Sequence, residues 1–213
     1  SIKLIGNVAS PYTRKMIAYL RYKRIPYKVI WGQPEDVLKK MNIEAPKPIL
    51  LPVFILERDG QAAAVTDSTP LIREFEEKYP DRSVLPKDPA LNFINFILED
   101  FGDEWCTKFM FHYRWYFDED ADNAGTILPL GINSNLKDDE LAFFKEHFAK
   151  RQIDRLWVVG SNNDTAEFID KSYKNVLSIF EDHFKNQPFL LGNLPSSCDF
   201  AVYGQFTQLV GFD

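Results

Sequence analysis

The sequence predicts an α/β unit of order βαβαββα followed by an all-α domain, and three observations predict it. Residues 2–78 alternate short apolar runs with segments of helical periodicity, a Pro-rich charged stretch follows at 79–89, and beyond it apolar residues recur at helical spacing. Ile2–Gly6 reads as a strand. Pro11–Arg24 reads as a helix, with Tyr12, Ile17 and Leu20 at helical spacing and Pro11 suited to the first helical position. Tyr27–Trp31 is a second strand and Glu35–Met41 a short helix. Pro52–Glu57 and Ala63–Thr66 flank Asp59-Gly60, a strong hairpin dipeptide because both residues tolerate a positive φ. A further helix starts at Asp67 or Ser68 and runs to about Lys78. Pro80, Pro86 and Pro89, set among charged residues, mark a linker, which divides the chain into 1–79, 80–89 and 90–213.

In the second part, Phe93, Ile97, Phe101, Trp105, Phe109, Tyr113 and Phe117 recur every fourth residue, which predicts one long helix buried on more than one face. Lys137–Val158 is a second helix, with Leu141, Phe144, Phe148, Ile153 and Leu156 facing inward. Asp164–Lys185 is a third, opened by an Asp164/Glu167 capping box and carrying Phe168, Tyr173, Val176, Phe180 and Phe184 on its apolar face. Gly125, Pro129 and Gly131 predict a loop over 121–136. Ser196 and Asp199 form a capping box for a last helix. The sequence opens on Ser1 and ends at Asp213 without a helix-stopping signal, so the natural chain is expected to continue.

Composition narrows the function classes. A chain of 213 residues with 45% hydrophobic and 26% charged residues has ample core material, which excludes a disordered tail or a coiled coil. A net charge of −6 without a dense Lys/Arg run argues against general nucleic-acid or anionic-membrane binding. No apolar run approaches the roughly 20 residues that span a bilayer. Cys106 and Cys198 are far apart and lack a disulfide or zinc pattern, which fits a reducing cytoplasm. His112, His147 and His183 fall on separate helices, so no metal is expected. Phosphate-loop, dinucleotide, zinc-protease and nucleophile-elbow motifs are absent from the sequence.

The segment Ala9-Ser10-Pro11-Tyr12-Thr13-Arg14-Lys15 follows a strand and opens a helix. Unpaired N–H groups and the positive end of the macrodipole favour an anion there, and Ser10 can donate its hydroxyl proton to a thiolate. Ser10 is equally a preferred N-cap. Asp67-Ser68, again between strand and helix, reads as a cap or as an anion-binding corner.

Together, the Ser10-Pro11 corner, Leu51-Pro52-Val53, Asp67-Ser68, the linker and Ser196-Ser197-Cys198-Asp199 resemble the glutathione transferases across nearly the whole chain. The resemblance implies a thioredoxin-like N-terminal domain, an all-helical C-terminal domain, a homodimer and glutathione as cosubstrate. It matches Ser10 to the activating serine of tau-, theta- and zeta-like members. Pro52 matches a cis-proline that turns the Leu51 backbone toward the cysteinyl amide of glutathione, and Asp67 and Ser68 match the pair that holds the γ-glutamyl end. Where many members carry a Lys two residues before that proline, this chain has Leu50, with Lys47 further upstream. Thr13 stands where a second thiol would be, which argues against thiol–disulfide exchange.

The helices beyond the linker wall the electrophile pocket in this family, which points to Trp105, Phe109 and His112 at i, i+4 and i+7; core packing is the other reading of the same spacing. His112 reads as an acid, a base or a core histidine, and Arg114 as stacked on an aromatic ring or paired with Glu104 or Asp118. The function implied is conjugation of the glutathione thiolate to a small hydrophobic electrophile. The alternative is a non-catalytic member of the fold that binds a ligand or a protein. A serine hydrolase using Ser10 lacks a nearby base.

Overall fold

The computed structural model describes residues 2–211. Four strands, β1 (Ile2–Gly6), β2 (Tyr27–Trp31), β3 (Val53–Arg58) and β4 (Gln61–Val65), form one sheet in the order β2-β1-β3-β4. β1 pairs parallel with β2, Leu4 opposite Val29, and antiparallel with β3, Leu4 opposite Phe54; β3 and β4 are antiparallel. The hairpin turn is made by Asp59 and Gly60, at φ 51° and 76°, as their residue types require.

Side chains alternate across a strand, so β1 serves two cores. Leu4 packs with Met16, Leu20, Phe54 and Ile72 under α1 (Pro11–Lys23) and α3 (Ser68–Lys78). Ile5 packs with Leu38, Val53 and Ile55 under α2 (Pro34–Met41) on the other face. The predicted order βαβαββα is the observed one. Residues 79–88 carry no helix or strand, yet Val84 is buried and fixed: its N–H donates to Glu76 Oε2 at 3.1 Å and its carbonyl accepts from Ser197 N at 2.9 Å.

The remainder is helical: α4 (Pro89–Asp100), α5 (Cys106–Trp115), α6 (Asp118–Ile132), α7 (Asp138–Ile153), α8 (Ala166–Asn186) and α9 (Ser197–Gly211). No helix among the described residues is long and apolar enough to cross a membrane. Phe212 and Asp213, part of the chain end noted above, lie outside the described residues.

Four expectations are corrected. First, the long helix is interrupted by a π turn at Phe101–Trp105, and its apolar row is not the buried one. In α4 the buried side chains are Asn95 and Glu99, while Phe93, Phe96 and Ile97 are exposed. The polar row turns inward because it has partners there: Asn95 bonds Ser197 and the Cys198 N–H, and Glu99 bonds Lys15, Arg73 and Ser197.

Second, residues 118–132 form a helix rather than a loop. Asp118, Glu119 and Asp120 suit the positive end of its dipole, Pro129 falls in the last turns, and Gly125 lets α7 approach, with a Cβ there only 3.1 Å from Lys145 Cγ. Packing overrides propensity.

Third, α7 leaves Phe144 and Ile153 exposed rather than inward, and ends before a 3₁₀ turn at Leu156–Val159. Fourth, α8 is not opened by Asp164 and Glu167; Asn162 Oδ1 accepts from the N–H groups of Asp164 and Thr165, and Phe168 faces outward. At α9 the expected contact forms, with Asp199 Oδ2 accepting from Ser196 N at 2.8 Å and its other oxygen from Leu190 N at 2.8 Å.

Candidate functional site

Local chemistry sets the corner before α1. Asn7 Oδ1 accepts from Ala9 N at 2.9 Å and the Asn7 carbonyl from Ser10 N at 3.1 Å, which folds residues 7–10 into a tight turn. Three long side chains then hold its carbonyls: Arg14 and Gln208 donate to Val8 O, and Arg114 donates to Ala9 O at 3.0 Å. Arg114 also bonds Gln208 Oε1 at 2.8 Å. These bonds make Arg114 one of the side chains that fix the Ser10 turn, and its partners there are Ala9 and Gln208 rather than Glu104 or Asp118.

Ser10, extended at φ −95° and ψ 116°, caps α1, and its Oγ accepts from Thr13 N at 3.2 Å. A hydroxyl has one donor and two acceptor lone pairs, so the capping bond leaves its proton available. Ser10 is 8% exposed, and that small exposure opens into a cavity of about 480 Å³ between the two halves of the chain. Ser10 and Tyr12 line it from α1, and Ile49, Leu50 and Leu51 from the segment before β3. Asp67, Ser68 and Thr69 line it from the start of α3, and Asp103 and Glu104 from the π turn.

The Leu51–Pro52 peptide bond is cis, as is Lys47–Pro48. Asp67 sits at φ 79°, a backbone region costly for a residue with a Cβ, and its carboxylate caps α3 by accepting from Thr69 N at 3.3 Å. The structure therefore brings Ser10, Leu51, Asp67 and Ser68 to one cavity, with Pro52 adjoining Leu51.

It does not bring Trp105, Phe109 and His112 there. The extra residue of the π turn rotates α5 relative to α4. Trp105 is exposed, and Phe109 packs on Tyr173 of α8 at a ring separation of 5.6 Å. His112 is wholly buried, its Nδ1 2.8 Å from Ser161 Oγ and its ring stacked on Tyr116, and burial lowers its pKa. It is a core histidine. Cys106 and Cys198 are buried too, and burial pushes the Cys106 thiol up to about 12.

Lys15 and Asp103 are the residues that sequence reasoning missed. Lys15, wholly buried, donates to Asp103 Oδ2 at 2.6 Å, Ser68 Oγ at 3.1 Å, Glu99 Oε1 at 3.2 Å and Thr69 Oγ1 at 3.4 Å. Thr69 Oγ1 in turn donates to Asp103 Oδ2 at 3.2 Å. The cluster fixes the first turn of α3 against α1 and the π turn. Burial outweighs Lys15 at Asp103 and raises its carboxyl pKa, and burial likewise raises that of Tyr12, whose hydroxyl donates to the Asp103 carbonyl at 2.7 Å. The signal in the sequence was Glu99 and Asp103, one helical turn apart within the acidic run Glu99-Asp100-Phe101-Gly102-Asp103-Glu104 that follows an apolar stretch.

Residues 4–83 match the family model described as the glutathione S-transferase N-terminal domain. No curated protein matches the chain by sequence. Among solved structures, FzlA from C. crescentus is 16% identical with a TM-score of 0.60, over 98% of this chain and 78% of that one. A glutathione S-transferase from Methylobacterium radiotolerans, in complex with glutathione sulfonate, is 20% identical with a TM-score of 0.57 at the same coverage. The β-etherase LigF from Sphingobium sp. is 21% identical with a TM-score of 0.61, over 95% of this chain and 81% of that one. At these identities the likeness is one of fold. Residues 4–83 thus match the glutathione S-transferase N-terminal domain family, and the chain as a whole shares the fold of solved glutathione S-transferases, thioredoxin-like and then all-helical.

Proposed function

We propose that the chain binds glutathione as cosubstrate and conjugates its thiolate to a small hydrophobic electrophile. The observation that carries this reading is that Ser10, at the N-terminus of α1, lines one cavity with Leu51, Asp67 and Ser68. Asp67 faces the ammonium of the γ-glutamyl end, Ser68 and the start of α3 take its carboxylate, and the Leu51 backbone beside cis-Pro52 pairs with the cysteinyl amide. Ser10 donates its hydroxyl proton to the thiolate. A free thiol near pKa 8.5 is only a few per cent ionised at pH 7. Lowering that pKa by about two units takes about 2.7 kcal/mol, the scale of one charge-assisted hydrogen bond plus a helix dipole. The sulfur lone pair then forms the C–S bond while the leaving group departs with its electron pair; the thiol proton has already gone to solvent.

The reading includes a cytoplasmic homodimer, for which exposed Phe93, Phe96 and Ile97 of α4 offer an apolar face, with the domain division at residues 80–89. The second reading, a non-catalytic binding protein of the same fold, is favoured by Trp105, Phe109 and His112 lying off the cavity, which leaves the electrophile side without its expected aromatic wall. Retention on immobilised glutathione, followed by turnover of a chromogenic aryl halide, separates the two. Retention with turnover supports the enzyme, retention without turnover the binding protein, and no retention overturns glutathione as the ligand.

A further inference from the structure

We propose that the cavity selects a γ-glutamyl thiol whose distal, glycyl end is uncharged, an ester or amide rather than a free carboxylate. This rests on the glutathione reading above and extends it to substrate class. With the thiol at Ser10 and the γ-glutamyl end at the start of α3, the lining left for the distal end is the aliphatic run Ile49-Leu50-Leu51, with Tyr12, Asp103 and Glu104 as the remaining lining and no cation on either part. Leu50 is 47% exposed on that wall.

The charges of the cavity are one-sided. Asp67 and Glu104 line it beside Asp103, whose carboxylate is already paired with Lys15, and among the described residues no Lys, Arg or His does. Lys15 is near, but its side chain is 1% exposed and its ammonium is already spent on Ser68, Thr69, Glu99 and Asp103. Lys47, the nearest basic residue upstream, is exposed and is not part of the lining. A glycyl carboxylate placed here sheds water against leucine and isoleucine, meets no cation and adds to an acidic field. Esterification removes that charge and gives Leu50 an apolar group to cover.

The test is calorimetric titration of the wild-type chain and Leu50→Lys with glutathione and with its glycyl monoethyl ester. The wild type should bind the ester about fivefold more tightly than the free acid, and Leu50→Lys should tighten the free acid by about fivefold with the ester unchanged, the scale of one partly exposed ion pair. Leu50 is half-exposed, so the variant keeps the core intact, and its thermal midpoint verifies folding. A wild type that binds the free acid as tightly as the ester overturns this inference and leaves the glutathione reading standing. An ester preference unchanged in Leu50→Lys overturns the assignment of the distal end to this wall. Binding of neither ligand overturns the glutathione reading, and this inference with it.

Discussion

Lys15 donates to Asp103 at 2.6 Å, joining the middle of α1 to the π turn beyond the linker, 88 residues away. Lys15 also bonds Glu99 and both hydroxyl residues at the start of α3, so one ammonium group ties together α1, the start of α3 and the π turn, three of the elements that wall the cavity. Truncating it leaves Asp103 without a cation in a closed interior, and Glu99 with Arg73 alone, the costly way to break a buried pair. Lys15→Met is expected to lower stability by about 3–5 kcal/mol, read by urea denaturation. Loss within the range of an ordinary surface substitution would contradict the role given to this cluster.

Glu99 supplies a pH dependence. Burial works to raise its carboxyl, but Lys15 and Arg73, with the Ser197 hydroxyl, hold it below the ordinary 4.5. A carboxyl depressed in the folded state contributes stability that is complete above its unfolded value and is lost as pH falls through the folded one. The wild type should therefore lose stability, as pH falls below the ordinary carboxyl value of 4.5, more steeply than Glu99→Gln, which starts lower at neutral pH. Parallel acid limbs for the two proteins would show that Glu99 is not held in this way.

Gly204 of α9 packs against the first turn of α1. A Cβ there would stand 2.5 Å from the Pro11 carbonyl oxygen and 3.1 Å from Lys15 Cβ. Gly204→Ala must push α9 off α1 and is expected to cost about 1–3 kcal/mol. Gly211→Ala, with nothing among the described residues within 4 Å of its Cβ, serves as the control and should be close to neutral. Equal thermal midpoints for the two variants would contradict the close packing of α9 on α1.

What the sequence made legible was local. Asp59-Gly60 announces its hairpin and Ser10-Pro11 its helix start, because each depends on neighbours a few residues away. The cavity wall from residues 49–69 was legible only through family resemblance, since Asp67-Ser68 alone is an ordinary cap. The rest depended on distance. Glu99 and Asp103 turn inward because Lys15 meets them from 84 and 88 residues away, a partnership that periodicity does not carry. The apolar row through Trp105 and Phe109 failed as a pocket because one π turn changes which face points where, and a row of aromatics reads alike with or without it.

The central claim is that the Ser10 hydroxyl lowers the pKa of a bound thiol, and the most direct measurement is an ultraviolet thiolate titration of glutathione bound to wild type and to Ser10→Ala. Ser10→Thr retains both the cap and the hydroxyl and controls for loss of the helix start. The account predicts a bound thiol about two units below its free value of about 8.5 in wild type and Ser10→Thr. In Ser10→Ala it predicts a return to the free value, with turnover strongly reduced. An equally depressed thiol in Ser10→Ala would contradict it.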